Sequence, residues 1–281
     1  MNSLFVGYVL VGVVCAYSTV LVAVNLHALW GARVMRWWNE RRLASVLSGA
    51  RAAAFLVPVL LMAGGTAGHF VFVVPGADGA LAKLIMSESL TPDDDVDVTI
   101  IGTAKLVARD DAGRERALVL DGAKAKTEHA YAVDLGGAQT RVVYGMAEVG
   151  VTKRGEGKAF LLTYYPKAIV GDGLDEKALV GEKTPVEIVP VGKAGALRFK
   201  LLVGGKAVPA GVELTVIPPD GKEKKVTTEA DGATAAFDQI GRYGIWARSF
   251  AAETGERDGK KYEQVRRYAT LVVDIGARGK K

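Results

Sequence analysis

Two histidines, His69 and His129, are the side chains in this sequence best suited to bind a transition metal. His69 lies in "MAGGTAGHFVFVVPG" (62–76), where an apolar run changes to small residues. Cleavage by a peptidase after Gly68 would let the imidazole and the new α-amine of His69 chelate one ion. Cleavage after Ala67 would give a Gly-His terminus, whose amine, amide and imidazole suit square-planar Ni(II) or Cu(II). The pattern therefore predicts a site for Ni(II), Co(II) or Cu(II) if cleavage occurs there, and an ordinary strand-leading histidine if it does not.

His129 is the second metal-ligand candidate, in the predicted strand "HAYAVDL". Adjacent residues of a strand point to opposite faces, so Glu128 and His129 are not expected to join one site. A copper oxygenase would need a second histidine besides His69, and only His129 is available for it after the N-terminal region. The alternative is a solvated histidine at a strand edge. The one cysteine, Cys15, lies in the first apolar run, so residues 69–281 hold neither a disulfide nor a Cys-ligated zinc.

Other chemistry-bearing residues form weaker patterns. The acidic segment "TPDDDVD" (91–97) lacks the glycine and distal glutamate of an EF-hand and is predicted to be a solvated turn. The segment "GDGLDE" (171–176) is interpreted as a linker, and Lys167 in "LTYYPK" is able to meet an anionic ligand. The sequence contains no G-x-S-x-G motif, no P-loop and no serine paired with a suitable histidine. It therefore predicts no catalytic residue and a non-enzymatic protein.

The net charge of +5 is concentrated in the N-terminal region. Residues 1–68 contain five arginines and one acidic residue, Glu40. The remaining chain has 31 basic and 30 acidic side chains, a net charge of +1. Phosphate-backbone binding needs a concentrated excess of basic residues, so nucleic acid is not a predicted partner.

The first 68 residues contain two apolar runs. Leu4 to Leu26 is long enough to cross a bilayer and is predicted to be a transmembrane helix. The arginine- and tryptophan-rich segment that follows is typical of a cytoplasmic loop. The second run, "AAAFLVPVLLMAGGTAG" (52–68), is short and suits a signal peptide cleaved near Ala67 or Gly68, with translation beginning at Met1 or Met35. The alternatives are a membrane-anchored hairpin and a released protein. Both export residues 69–281 to the periplasm or the outer face of the cytoplasmic membrane.

After His69 the sequence predicts an all-β protein. Apolar residues alternate along short segments, and glycine- and aspartate-rich turns separate them. We place a boundary near Glu182, between an N-terminal β domain (69–182) and a C-terminal immunoglobulin-like or transthyretin-like β-sandwich (183–281), and we expect both domains to be β-sandwiches. The predicted core of the second domain comprises Leu197, Phe199, Leu201, Val212, Leu214, Val216, Phe237, Tyr243, Ile245, Leu271 and Val273.

Parts of the sequence resemble two known families. The stretch "GGKAVPAGVELTVIPPDGKEKKVTTEADGATAAFDQIGRYGIWARS" resembles the carboxypeptidase-regulatory or transthyretin-like sandwich, which implies a fold and no activity. The segments "HFVFVVP", "FLLTYYPKAI" and "DGKKYEQVRRYATLVVDI" resemble the domain of unknown function numbered 4198, the NikM-like family associated with nickel or cobalt uptake. Arg267 stands where that family's pattern has a histidine, which puts in doubt any metal role that needs this position.

The second resemblance implies a periplasmic or surface-exposed β protein that acts as an accessory to a membrane metal transporter. The expected function is therefore the binding or delivery of nickel or cobalt, with the membrane contacted through the N-terminal segment if that segment is not cleaved. The alternative is a structural or interaction module of the cell envelope that binds a protein or carbohydrate partner.

Overall fold

The alternating segments of the sequence form β-strands in the computed structural model, which describes residues 68–136, 140–171 and 178–276. The predicted transmembrane helix and signal-like segment lie outside these residues. Within them, no helix is long and apolar enough to cross a membrane. The strands are β1 (Phe70–Pro75), β2 (Leu81–Ser87), β3 (Lys105–Asp110), β4 (Glu115–Leu118), β5 (Leu120–Asp121), β6 (Ala130–Asp134), β7 (Thr140–Thr152), β8 (Phe160–Ile169), β9 (Val186–Lys193), β10 (Ala196–Val203), β11 (Lys206–Ala207), β12 (Glu213–Ile217), β13 (Lys224–Thr227), β14 (Gly241–Ala251), β15 (Gly255–Arg257), β16 (Lys260–Tyr262) and β17 (Gln264–Ile275).

Helical structure in the described ranges is limited to single turns. They are α1 (Ala125–Glu128) and two 3-10 helices, Val98–Ile101 and Gly181–Lys183. One of the alternating segments predicted to be a strand, "DVTIIGTAKLVAR" (97–109), forms a strand only in its second half. In its first half Asp97 accepts a hydrogen bond from the Thr99 backbone N–H at 3.0 Å and starts a helical turn instead. The all-β prediction is confirmed.

An eight-stranded central sheet organises the fold. Its order is β13-β12-β14-β17-β8-β7-β3-β4, and β17 pairs with β8 in parallel while the other neighbours are antiparallel. Four of its strands come from each side of the boundary predicted near Glu182, so the two halves of the chain share one sheet. A four-stranded sheet, β1-β2-β6-β5, and a three-stranded sheet, β11-β10-β9, complete the layers beside a small β15-β16 hairpin.

The middle of the central sheet is buried on both faces. Because successive side chains of a strand alternate, Val272 packs on one face with β1 and β2, whereas Leu271 and Val273 pack on the other with β9 and β10. The first cluster lies under the four-stranded sheet, and the second lies under the three-stranded sheet. All eleven predicted core residues lie in or against the second cluster, which confirms that prediction. The same cluster also contains Val142 and Ile169 from the first half of the chain.

Candidate functional site

His69 stands immediately before β1, at the border between the four-stranded sheet and the central sheet. Its Nε2 donates a hydrogen bond to Asp93 Oδ2 at 2.9 Å, since an ionised carboxylate only accepts. The two side chains are 33% and 26% exposed, so the pair is open to solvent on one side. The carbonyl oxygen of His69 accepts a hydrogen bond from the buried Tyr164 hydroxyl at 3.1 Å. Burial raises the pKa of this phenol, which therefore keeps its proton.

An aromatic group under β1 holds His69 in place. The Phe70 ring stacks on Trp246 with a centroid distance of 3.9 Å and contacts Tyr268 at 5.5 Å. One residue further on, the buried Thr270 hydroxyl donates to the carbonyl oxygen of Val71 at 2.6 Å. Contacts between aromatic rings add about 0.5–1.5 kcal/mol to the burial of the rings. The start of β1 is thus fixed on the central sheet.

Asp93 belongs to the connection between β2 and β3, which crosses the same face. Leu90 lies directly over Gly244 of β14, where an added Cβ would come within 2.7 Å of the leucine Cδ2. Asp93 Oδ1 accepts the backbone N–H of Asp95 at 3.0 Å, as in an Asx turn. This leaves Oδ2 for the imidazole of His69. The turn predicted for "TPDDDVD" is what positions the carboxylate.

The hydrogen bond determines which imidazole nitrogen of His69 has a free lone pair. In the neutral tautomer that donates Nε2–H to the Asp93 carboxylate, Nδ1 is the acceptor. Nδ1 is also the nitrogen that closes a six-membered chelate ring with the backbone nitrogen of the same residue. No group of three or more His, Cys, Asp or Glu side chains suited to a metal occurs in the described ranges. A metal at His69 therefore needs donors beyond the side chains of these residues.

His129 does not lie on a strand, so the prediction that it begins one was wrong. The argument that adjacent strand residues put Glu128 and His129 on opposite faces therefore does not apply. His129 is the C-cap of α1, with the left-handed φ of 49°, and β6 begins one residue later. Glu128 forms an ion pair with Lys83 at 3.1 Å. His69 and His129 precede strands β1 and β6, which are separated by β2. No hydrogen bond of the described residues connects the two histidines.

Lys167 meets an anion within its own chain. Its Nζ lies 2.5 Å from Glu187 Oε1, and both side chains are almost completely buried between the central and three-stranded sheets. The backbone N–H groups of Val180 and Gly181 also donate to this carboxylate, at 2.8 and 2.9 Å. Burial lowers the pKa of Lys167, and the charge of Glu187 opposes that shift. Sequence reasoning missed Glu187 because an acidic residue in an alternating strand normally faces solvent.

Sequence reasoning also missed four side chains of the central sheet. They lie on the same face as Phe70, at the end that the four-stranded sheet does not cover. We call them the arginine surface: Arg248 and Phe250 of β14, and Arg266 and Tyr268 of β17. Phe250 is 48% exposed, and the guanidinium carbons of Arg248 and Arg266 lie 5.5 and 5.7 Å from its ring centroid. Arg267, the position that differs from the NikM-like pattern, is paired instead with Glu253 at 2.8 Å.

Comparison with solved structures finds distant similarity. No family model and no curated protein matches the chain. It is similar to a tetra-tandem repeat from the extending region of a large adhesion protein, with 13% identity over 73% of this chain and 49% of that one, and a TM-score of 0.19. It is also similar to the pullulanase of Anoxybacillus sp. LM18-11, with 15% identity over 69% of this chain and 27% of that one, and a TM-score of 0.17. The chain thus spans about half and about a quarter of these two proteins, and the low TM-scores carry no functional argument.

Proposed function

We propose that the protein is exported and non-enzymatic, and that its mature form binds a transition metal through His69 for delivery to a membrane transporter. The metal would be Ni(II) or Co(II). Cu(II), which accepts the same nitrogen ligands, serves as a probe of the site. The proposal includes membership of the NikM-like family on the sequence resemblance, and cleavage after Ala67 or Gly68. It places the β-sheet layers in the periplasm or at the outer face of the cytoplasmic membrane.

The single observation that supports this proposal is the hydrogen bond between His69 Nε2 and Asp93 Oδ2. Metal-bound histidines usually donate their other ring N–H to a carboxylate, which fixes the tautomer and raises the basicity of the ligating nitrogen. Asp93 supplies that carboxylate here, and it leaves Nδ1 available. The required free nitrogen is the one that both cleavage frames use.

The donors would differ between the two frames. With His69 as the first residue, the α-amine and Nδ1 hold the ion, and its remaining positions stay open. With Gly68 first, the amine, the deprotonated amide of His69 and Nδ1 occupy three positions of a square plane, which suits Ni(II) and Cu(II). Binding in both frames releases protons and weakens as the pH falls. Partial exposure of His69 suits a carrier, because a recipient ligand can approach the bound ion.

Titration of the purified mature protein with Ni(II) and Cu(II) tests the proposal. We expect His69→Ala to abolish the site and Asp93→Asn to weaken affinity about 10–100-fold, the usual cost of losing an outer-shell partner. His129→Ala is the matched control and should bind like the wild type. Equal affinity of wild type and His69→Ala would overturn the proposal and leave the alternative, an envelope module that binds a protein or carbohydrate partner.

A further inference from the structure

One end of the central sheet has a larger net positive charge than residues 69–281 taken together. The β7–β8 turn and the segment from the end of β14 to the start of β17 meet there, as the Lys158–Glu263 ion pair at 2.8 Å shows. The ranges 153–158 and 248–267 contain nine basic and five acidic residues, a net charge of +4. Residues 69–281 as a whole have a net charge of only +1. The charge is therefore localised at this end.

Arg266 is held at this end by aromatic and amide contacts. Its guanidinium carbon lies 3.5 Å from the centroid of the buried Phe160 ring and 5.7 Å from that of Phe250. Nε donates to Gln264 Oε1 at 3.0 Å. The terminal nitrogens of Arg266 make no hydrogen bond or ion pair with the residues that the structure describes. Burial lowers the pKa of Arg266, and the positive charges of Arg154 and Arg248 act in the same direction.

Arg248 lies diagonally across from Arg266 on the neighbouring strand. The register pairs Arg248 with Tyr268 and Phe250 with Arg266, so the four residues of the arginine surface form a compact square on one face. The described contacts give Arg248 no acidic partner. Two guanidinium groups thus flank an exposed aromatic ring, and the fork of each can bind a carboxylate with two parallel N–H bonds.

The arginine surface adjoins the part of the face that the four-stranded sheet covers. Phe70 at the start of β1 stacks on Trp246 and contacts Tyr268, and beyond Tyr268 the Phe250 ring is 48% exposed. The surface thus offers two guanidinium groups beside an accessible aromatic ring. A chain that carries carboxylates and flat apolar faces matches these groups, because the sugar C–H face packs on an aromatic ring while the acid meets arginine.

We propose that the arginine surface binds an acidic polysaccharide, with Arg248 and Arg266 receiving uronate carboxylates and Phe250 packing against a sugar ring. Arg266 provides the strongest contact, since Phe160 beneath it and Gln264 beside it fix the guanidinium before a ligand arrives. Pre-organised groups lose less entropy on binding. This binding is separate from the metal proposed at His69.

Binding of a short oligogalacturonate to the full-length protein in detergent, with EDTA present, tests the inference. We expect the wild type to bind this oligomer and to show no binding of a neutral galactose oligomer of equal length. Arg266→Lys keeps the charge but loses the planar fork, and it should weaken binding about tenfold or more. Phe250→Ala should weaken binding as well. Lys206→Ala removes an exposed charge from β11, outside the arginine surface, and should bind like the wild type.

Three outcomes would overturn the inference. They are no binding by the wild type, wild-type affinity in both Arg266→Lys and Phe250→Ala, and equal affinity for polyglutamate, which would indicate an acidic protein partner. Thermal unfolding of each variant establishes that it is folded. Since EDTA removes metal, these outcomes are independent of the result at His69.

Discussion

The two faces of the central sheet use positive charge in opposite ways. On the face under the three-stranded sheet, Lys167 is sealed from solvent and paired with Glu187, which also accepts two backbone N–H groups. On the other face, Arg248 and Arg266 stand at the uncovered end beside aromatic rings, and the described residues give them no carboxylate. The first arrangement is complete without a ligand. The second leaves N–H donors without a carboxylate partner among the described residues, and the nearby His69 leaves an acceptor, Nδ1, open.

The difference between the two faces indicates which part of the central sheet to test for ligand binding. A buried charge is costly unless it is fully paired, so the Lys167–Glu187 pair belongs to the architecture. Leaving an exposed cation without a partner costs little free energy. An arginine that is held in a fixed orientation without an acidic partner therefore needs an explanation other than an internal ion pair. We therefore assign structure to the closed face and binding to the open end.

Glu187→Ala is expected to have the largest effect, because it leaves the Lys167 charge buried without a partner. The free energy of unfolding should fall by about 3–5 kcal/mol, as measured by chemical denaturation. The double variant Lys167→Met/Glu187→Leu removes both charges and should recover part of this loss, because the Val180 and Gly181 N–H groups still lose their acceptor. A single variant as stable as the wild type would contradict the role assigned to the closed face.

Phe70→Ala should follow in size. The ring is 8% exposed and stacks on Trp246, so its removal leaves a cavity under the start of β1 and costs about 3 kcal/mol. Hydrogen exchange at residues 70–75 should become faster, because β1 loses its contact with the central sheet. Unchanged exchange in β1 would mean that Phe70 does not hold His69 in place.

The fold class and one core were predictable from the sequence because alternation is a local signal. All eleven residues of the predicted second core were found together for that reason. The pairing of β8 with β17 was not predictable, since the two strands lie about 100 residues apart and no local pattern encodes their register. The shared central sheet follows from that pairing.

The candidate sites show the same limit. His69 was found by its residue type and its position after an apolar run, whereas Asp93 was recognised only as part of a turn. Their contact joins residues that are 24 positions apart. Arg266 looked like an ordinary solvent-facing residue of an alternating strand, and only the packed structure places it over Phe160.

Arg266→Ala should change stability far less than either variant above. The loss of its contact with Phe160 is expected to cost about 1 kcal/mol or less, the range of partly exposed cation–π contacts. Denaturation of this variant beside Glu187→Ala compares the two faces directly. A loss as large as that of Glu187→Ala would show that Arg266 is structural, and would remove the contrast.

The smallest effect is expected from an exposed pair, Glu148 with Arg257 at 2.7 Å. The hydrogen bond from Arg257 lowers the pKa of Glu148 below its ordinary value of 4.5. A lowered folded-state pKa contributes stability above pH 4.5, and that stability is lost as the pH falls through the folded-state value. Solvent screening limits the effect to less than about 1 kcal/mol. Unfolding measured from pH 6 to pH 3 should show a shallower decline in Glu148→Gln than in the wild type, and identical slopes would contradict this assignment.

The central claim concerns His69 at the open end, and N-terminal sequencing of the protein recovered from the periplasm of an expressing cell tests it most directly. We predict that the mature chain begins at Gly68 or His69, so that an amine lies beside the Nδ1 that the Asp93 hydrogen bond leaves free. A mature chain that begins before residue 60 would remove the chelate and contradict the proposed metal function.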